Sequence, residues 1–313
     1  MNDLILLTGA DGFVGSAVHD AAGRRGIAVR AASRRQTPAF DILRPDTLKP
    51  AMEGVGTVIH AAGAAHVFRR TAASEDWMRR TNVEGTRNVV AAARSADVRH
   101  IILVSSVSVY GSDSDVYSES KRQGEQAAIE EARDAVALTI LRLATVYGEG
   151  DRGNVLRLVL AIDRGRFIGI GSGDNRKTLI HRDDAGAAIV AAAVSGISGV
   201  FNVAAPPVTM REVVAAIADA LGAPRPRLSI NARAAMLAAR TLSVLTLHHR
   251  RAAALERTIA KWCSDEVHDG SEFCERFGLT PAVDLAQGIG REVDWYRRHI
   301  ARAVGMASRR RDE

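Results

Sequence analysis

Apolar and polar positions alternate along this chain in blocks, not singly. Short runs that are apolar throughout occur at 4–8, 27–32, 57–60, 100–105 and 137–143, and between them lie segments with apolar residues every three to four positions, at 14–25, 46–52, 75–96 and 117–133. A strand apolar on both faces must be covered on both faces, so strands alternating with helices predict a parallel sheet sandwiched between helical layers. The pattern loosens at Val146 to Gly153, a turn-rich stretch, where a second lobe is expected to begin. A further apolar run at 199–204 reads as a strand that rejoins the main sheet, and 211–221 and 286–300 read as helices. The fold class is therefore α/β, a doubly wound parallel sheet with a smaller, interleaved C-terminal substrate lobe. The expected division is 1–150 with a returning segment at about 178–205 for the first domain, and 151–177 with 206–313 for the substrate lobe. Residues 308–313 read as a frayed tail.

No charged residue occurs from Ala185 to Met210, but Ser195, Gly196, Ser198, Gly199, Asn202, Pro206 and Pro207 interrupt that run. A helix ending near Gly196 followed by a buried strand accounts for it, and no transmembrane segment is expected. The chain enters its first strand almost at once, without the basic region and cleavage site of a secretory leader, so a cytoplasmic location is expected.

The 313 residues are 47% hydrophobic and 25% charged, an ordinary globular balance with a net charge of +6. Basic residues are scattered, and no helix-turn-helix, zinc finger or aromatic-studded sheet motif accompanies them, so nucleic acid is not an expected partner. Cys263 and Cys274 are the only cysteines and match no metal-ligand or disulfide spacing; no metal is expected.

Directly after the first strand stands Thr8-Gly9-Ala10-Asp11-Gly12-Phe13-Val14-Gly15, a Gly-x-x-Gly-x-x-Gly run that opens a helix. Its glycines let the backbone turn tightly and approach a pyrophosphate, and the helix start offers unpaired N–H groups. This is the entry of a Rossmann sheet, with Gly9, Gly12, Phe13, Val14 and Gly15 as dinucleotide-binding residues. A carboxylate at the end of the second strand would select NAD, whereas the chain reads Ala32-Ser33-Arg34-Arg35. Ser33 and Arg34 suit a 2′-phosphate, which favours NADP, with NAD as the alternative.

Only four of the 42 basic residues are lysines, and one of them, Lys121, follows Tyr117 by four positions. On a helix that spacing places both side chains on one face, where an ammonium favours a phenolate. Tyrosine ordinarily titrates near 10 and needs such a neighbour to exchange protons at neutral pH.

Taken together, Thr8 to Gly15, His60-Ala61-Ala62-Gly63, Thr81-Asn82-Val83-Glu84-Gly85-Thr86, Ser105 to Gly111, Tyr117 with Lys121, and Arg142 to Gly148 resemble, in order and spacing, the extended branch of the short-chain dehydrogenase/reductase superfamily. Within it the chain is similar to the nucleotide-sugar epimerases, dehydratases and reductases. The resemblance implies that Tyr117 is the general acid/base and that Lys121 holds the nicotinamide ribose and lowers the tyrosine pKa. It also implies that Ser106 orients the substrate, with Ser105 and Ser108 as alternatives. Asp41 and Ile42 are implied at the adenine, and Ala61, Ala62 and Gly63 along the cofactor. Asn154 and Arg176 become candidates for a substrate diphosphate, and pairing of the helices 75–96 and 117–133 across a two-fold axis implies a homodimer.

Relatives that eliminate water carry Thr-Asp-Glu where this chain has Ser106-Val107-Ser108, so a dehydratase is not expected. The arginine that many 4-epimerases place before their penultimate helix is not evident near Val267-His268-Asp269-Gly270. The expected activity is reduction of the 4-keto group of a nucleotide-diphosphate sugar, with a nucleotide-sugar 4-epimerase second. An NADP-dependent alcohol dehydrogenase for an apolar ketone, such as a steroid or flavonoid, is third, motivated by the apolar stretch Ala234 to Leu247. A dinucleotide-sensing regulator is the non-enzymatic alternative, disfavoured because the Tyr/Lys pair is present.

Overall fold

Each apolar run pairs with a neighbour, because an extended segment of four residues can satisfy its backbone only through another strand. The computed structural model describes residues 4–35, 40–65, 71–111, 115–133, 135–226, 228–245, 256 and 258–301. Strands β1 (Ile5–Thr8), β2 (Val29–Ala32), β3 (Thr57–His60), β4 (His100–Ser106), β5 (Ala137–Leu143) and β6 (Gly199–Val203) form one parallel sheet in the order β6, β5, β4, β3, β1, β2. Register sets Leu7 between Ala31 and Ile59. Successive side chains then feed two separate cores. Ile5, Leu7, Ile59, Ile102 and Leu141 face one side with Val18, Ile189 and Phe201. Leu6, Val58, Ile101, Leu103 and Ile140 face the other with Val89, Val90 and Ala128. This is why the strands carry no polar face.

Two compact units make up the chain. The first comprises Met1–Val146, Ile180–Ala205 and His268–Val283, and the second Tyr147–Leu179, Pro206–Val267 and Asp284–Glu313. The stretch 268–283, placed in the second lobe by the sequence reading, clusters with the first unit. There Phe273 and Phe277 pack on Phe201 of β6.

Around the sheet of the first unit lie helices α1 (Phe13–Arg24), α2 (Ala72–Arg79), α3 (Gly85–Ser95), α4 (Val116–Ala132) and α5 (Arg182–Ser195). The uncharged stretch from Ala185 resolves into α5, a left-handed Gly196 (φ +69°) and β6. Among the described residues, no helix is long and apolar enough to cross a membrane.

One helix departs from its sequence pattern. The expected single helix 75–96 begins earlier, at Ala72, because Thr71 and Ser74 exchange side-chain and backbone hydrogen bonds as a capping box. It is then interrupted by a π-turn at Arg80–Glu84. The turn is held from outside the helix: α4 approaches so closely at Gly124 that a Cβ there would collide with the Asn82 carbonyl oxygen. Helical period alone does not reveal such a tertiary contact.

The second unit has its own core, in which the helices Asn154–Asp163, Met210–Leu221 and Leu285–Tyr296 bury Val155, Val159, Val213, Ile217, Ile289 and Val293. Within that core lies a carboxyl group, Glu292, with no solvent exposure. Its Oε2 accepts the Gly148 N–H at 3.0 Å, and its Oε1 has no hydrogen-bond partner. Burial, reinforced by the nearby Asp151 and Glu149 carboxylates, pushes Glu292 up to about 9, so it is a neutral acid at pH 7. Asp151 holds the loop from the other side, accepting from the N–H groups of Gly153 (2.6 Å) and Leu156 (3.2 Å). Beside them Arg291 donates to Glu149 at 2.7 Å.

Two measurements test these constraints. Gly124→Ala must displace α4 from the π-turn, and overpacking of this kind destabilises by about 1–3 kcal/mol in urea unfolding. Folded Glu292 holds its proton more tightly than the unfolded chain does, so its contribution is complete below the ordinary value of 4.5 and is lost as pH rises toward about 9. Wild-type stability should therefore fall relative to Glu292→Gln by up to about 1.4 kcal/mol per pH unit through the neutral and mildly alkaline range.

Candidate active site

The sheet reverses its strand order at β1, since the chain passes from β1 to β2 on one side and then to β3 on the other. Ligands of open α/β sheets bind at the carboxyl ends of the strands beside such a reversal, here Thr8 and His60. Gly9 follows Thr8 with φ +70°, where a Cβ would fall 2.6 Å from the Ala62 backbone nitrogen. A Cβ on Gly15 would strike the Gly9 carbonyl oxygen. The loop thus lies against the 61–63 segment, and Gly12, the N-cap of α1, supplies no side-chain cap to the first turn. This is a backbone cradle ending in uncapped N–H groups, the form that accepts a pyrophosphate. Phe13 and Val14 are the first two residues of that helix.

At the end of β2, Ser33 is buried and its hydroxyl accepts from the Arg35 N–H at 3.2 Å, which leaves its own proton for another acceptor. Arg34 and Arg35 are exposed. No carboxylate lies between Val29 and Arg35. Asp41 folds one carboxylate oxygen onto the Leu43 N–H at 3.0 Å, and Ile42 is buried in the second core.

A chain of hydrogen bonds ties the strand ends to the helices. The Thr86 hydroxyl donates to the Asn82 carbonyl at 2.7 Å, so it must accept from His60 Nε2 at 3.1 Å. His60 Nδ1 is then an acceptor for the Thr8 hydroxyl at 2.8 Å, and Thr8 Oγ1 in turn accepts the Ala62 N–H at 3.3 Å. Every proton has a place only if the imidazole is neutral with its hydrogen on Nε2. Burial, joined by the Lys121 charge, lowers His60 to about 3, in agreement with that assignment. Asn82 extends the chain: its Oδ1 accepts from Ala64 N at 2.8 Å, and its Nδ2 donates to the Ala64 carbonyl at 3.0 Å and to Ser120 Oγ at 2.9 Å. Ser120 donates onward to the Tyr117 carbonyl at 2.9 Å.

Tyr117 and Lys121 share one face of α4, which starts where Asp115 caps the Ser118 N–H. Burial disfavours the ionised Tyr117 phenol and the Asp115 carboxylate adds to that, whereas the nearby Ser106 and Ser108 hydroxyls favour it. Burial dominates and raises the phenol. The Lys121 ammonium is not among the groups that set this shift, and it donates to the Val104 carbonyl at 2.8 Å. Lys121 itself is brought down to about 8 by burial, with Glu125 pulling the other way.

Strand alternation separates the serine candidates. Ser105 turns into the fold and donates to Glu125 Oε1 at 2.5 Å, while Arg142 grips the same carboxylate at 2.6 Å. Ser106 accepts the Ser108 N–H at 3.1 Å and faces the phenol. Ser108 Oγ is buried with no partner of hydrogen-bond geometry, a hydroxyl beside the phenol available to an incoming oxygen.

The first unit therefore brings together Gly9, Gly12, Gly15, Ala61, Ala62, Gly63, Ser106, Tyr117 and Lys121. Asn154 and Arg176 belong to the second unit. Asn154 is exposed at the start of its helix. Arg176 pairs loosely with Asp265, at 3.8 Å, on its own surface. Thr8, Thr86, Ser120 and Glu125 had no assigned part in the sequence reading. Thr8, Thr86 and Ser120 stand inside the matched motifs and Glu125 outside them, and the role of each depends on which partner it meets.

Residues 5–204 match the NAD dependent epimerase/dehydratase family. The chain is 28% identical to the N-acetyl-alpha-D-glucosaminyl-diphospho-ditrans,octacis-undecaprenol 4-epimerase of Escherichia coli O157:H7, covering 94% of this chain and 96% of that protein. It is 27% identical to the 2-alkyl-3-oxoalkanoate reductase of Stenotrophomonas maltophilia, covering 92% and 97%. Among solved structures, MoeE5 in complex with UDP-glucose and NAD superposes with a TM-score of 0.70 at 24% identity, over 94% of this chain and 98% of that one, a likeness of fold. By the extent of the family match and the motifs that carry it, the chain belongs to the NAD-dependent epimerase/dehydratase family of extended short-chain dehydrogenase/reductase enzymes.

Proposed function

We propose that this enzyme reduces the 4-keto group of a nucleotide-diphosphate sugar with NADP as its dinucleotide. The observation that carries the reading is the surroundings of Tyr117: two hydroxyls, Ser106 and Ser108, face the phenol, and no carboxylate stands at 106–108. One proton-handling group suits a ketone and its alcohol, whereas elimination of water calls for a second acid/base pair.

The glycine loop, Ala61 to Gly63 and Lys121 would hold the dinucleotide, with Asp41 and Ile42 near the adenine and Ser33 and Arg34 at the 2′-phosphate. NADP supplies hydride chemistry at nicotinamide C4 when bound. Ser106 orients the substrate oxygen, and Tyr117 gives that oxygen a proton as the carbonyl becomes a hydroxyl. Its raised pKa favours the acid role, since a phenol kept neutral holds the proton it must deliver. Lys121 keeps a positive charge beside the site up to about 8. Asn154 and Arg176 are the proposed diphosphate contacts of the second unit. Exposed Trp77 on α2 and Ile129 on α4 suit the homodimer helix pairing.

A 4-epimerase is the second reading, favoured by the Escherichia coli relative, which is named for epimerisation at C4. Supplying purified protein with UDP-4-keto sugars and NADPH should give stoichiometric NADPH oxidation. Interconversion of C4 isomers without net NADPH consumption would establish the epimerase instead. Tyr117→Phe should lower turnover by about 10²–10⁴-fold while dinucleotide affinity stays at the wild-type level. In fluorescence titrations NADPH should bind more tightly than NADH, and Arg34→Ala should weaken NADPH about tenfold with little effect on NADH. An unchanged ratio would remove Arg34 from the 2′-phosphate.

A further inference from the structure

The second unit carries exposed apolar side chains with exposed arginines beside them in the chain, and the proposed reaction uses none of them. In the parallel pair formed by Gly169–Ile170 and Ser229–Ile230, Ser229 stands opposite Gly169 and Ile230 opposite Ile170. Extending that register by one residue sets Leu228 beside Ile168. Side chains alternate along a strand, so Ile168, Ile170, Leu228 and Ile230 project from the same side of the ribbon. Leu228 is 74% exposed, Ile168 50% and Ile230 45%. Asn231 then caps the helix Ala232–Leu245, accepting from the N–H of Arg233 at 2.9 Å. One face of that helix presents Arg233, Ala234, Leu237, Ala238 and Thr241 to solvent, with Leu237 66% exposed.

Charge is concentrated in the same part of the chain. Residues 225–261 include eight arginines and lysines and a single acidic residue, Glu256, a net +7 that exceeds the +6 of the whole protein. Arg164 and Arg166 precede Ile168 and are exposed, as is Arg233. Arg225 is exposed as well but is neutralised by Asp219 at 2.6 Å. Exposed apolar side chains with Arg164, Arg166 and Arg233 exposed beside them in the chain match the two attractions of an anionic membrane face, insertion into the headgroup boundary and attraction to lipid phosphates.

We propose that this face of the second unit is a peripheral docking surface for anionic phospholipid. Leu228, Ile230, Leu237 and Ile168 enter the headgroup layer, and Arg166 and Arg233 lie against phosphates. The surface involves none of the residues assigned to the reaction, so it stands or falls independently of the substrate.

Co-sedimentation of the full chain with vesicles of phosphatidylcholine, with and without phosphatidylglycerol, tests it. Retention is expected only with phosphatidylglycerol, and high salt should release the protein because it screens exposed charge. Leu228→Ser combined with Leu237→Ser should weaken retention about tenfold or more. Arg166→Glu combined with Arg233→Glu should do the same and keeps the test available if the leucine variant fails to fold. Dinucleotide binding, a property of the first unit, should be unaltered in both. Absence of retention, equal retention on phosphatidylcholine alone, or retention indifferent to both variants would overturn the proposal. A change from dimer to monomer caused by the leucine variant without lipid would also overturn it, by assigning the face to a second copy of the chain.

Discussion

His60 must remain uncharged for the first unit to keep its working edge. It lies fully buried at the end of β3, and its two ring nitrogens are committed to the Thr8 and Thr86 hydroxyls. Those partners sit at the end of β1 and near the start of α3, so one imidazole fixes the strand pair that forms the crevice and the helix whose π-turn carries Asn82. Protonation would leave the Thr8 hydroxyl hydrogen without its acceptor and place a second cation near Lys121. Desolvation and a like charge thus act in the same direction, and Lys121 is the cation that the site retains.

From Asn82 the same constraint reaches α4, through Ser120 and the backbone of Tyr117. The phenol is positioned by a helix pinned from behind and not by side-chain packing alone. A second buried polar group, Glu125 with Arg142 and Ser105, lies one turn further along α4. Arg142 also donates to the Tyr110 hydroxyl at 2.9 Å, and that hydroxyl donates to Asn202 at 3.0 Å. These bonds cross β4, β5 and β6 at their carboxyl ends. Two apolar cores hold the sheet, while a hydrogen-bonded polar layer along one edge orients the chemistry.

The second unit solves a related problem differently. Its loop at Gly148 to Gly153 is held by one charged carboxylate, Asp151, and one neutral acid, Glu292. Two buried carboxylates in one place cannot both ionise cheaply, so the pair divides into a capping anion and an uncharged hydrogen-bonding acid.

Much of this molecule was legible before its fold was known. The apolar runs gave five strands of the sheet, and the return of a sixth, because a strand buried on both faces has a distinctive composition. The glycine spacing at Gly9 to Gly15 marked the cradle because a close backbone approach excludes a Cβ. Tyr117 and Lys121 could be paired because helix geometry fixes the i, i+4 relation locally. What the sequence could not decide were relations made across the sheet. The π-turn at Arg80–Glu84 lies where Gly124, on another helix, lets that helix approach Asn82. Ser106 is separated from Ser105 by which one meets Glu125, and the tyrosine is raised because burial, joined by Asp115, outweighs the Ser106 and Ser108 hydroxyls. Local spacing and composition determined the elements and the kinds of chemistry. Desolvation and hydrogen-bond partnership exist only after distant segments meet, so tertiary structure alone decided which of those groups carry a charge and which face the site.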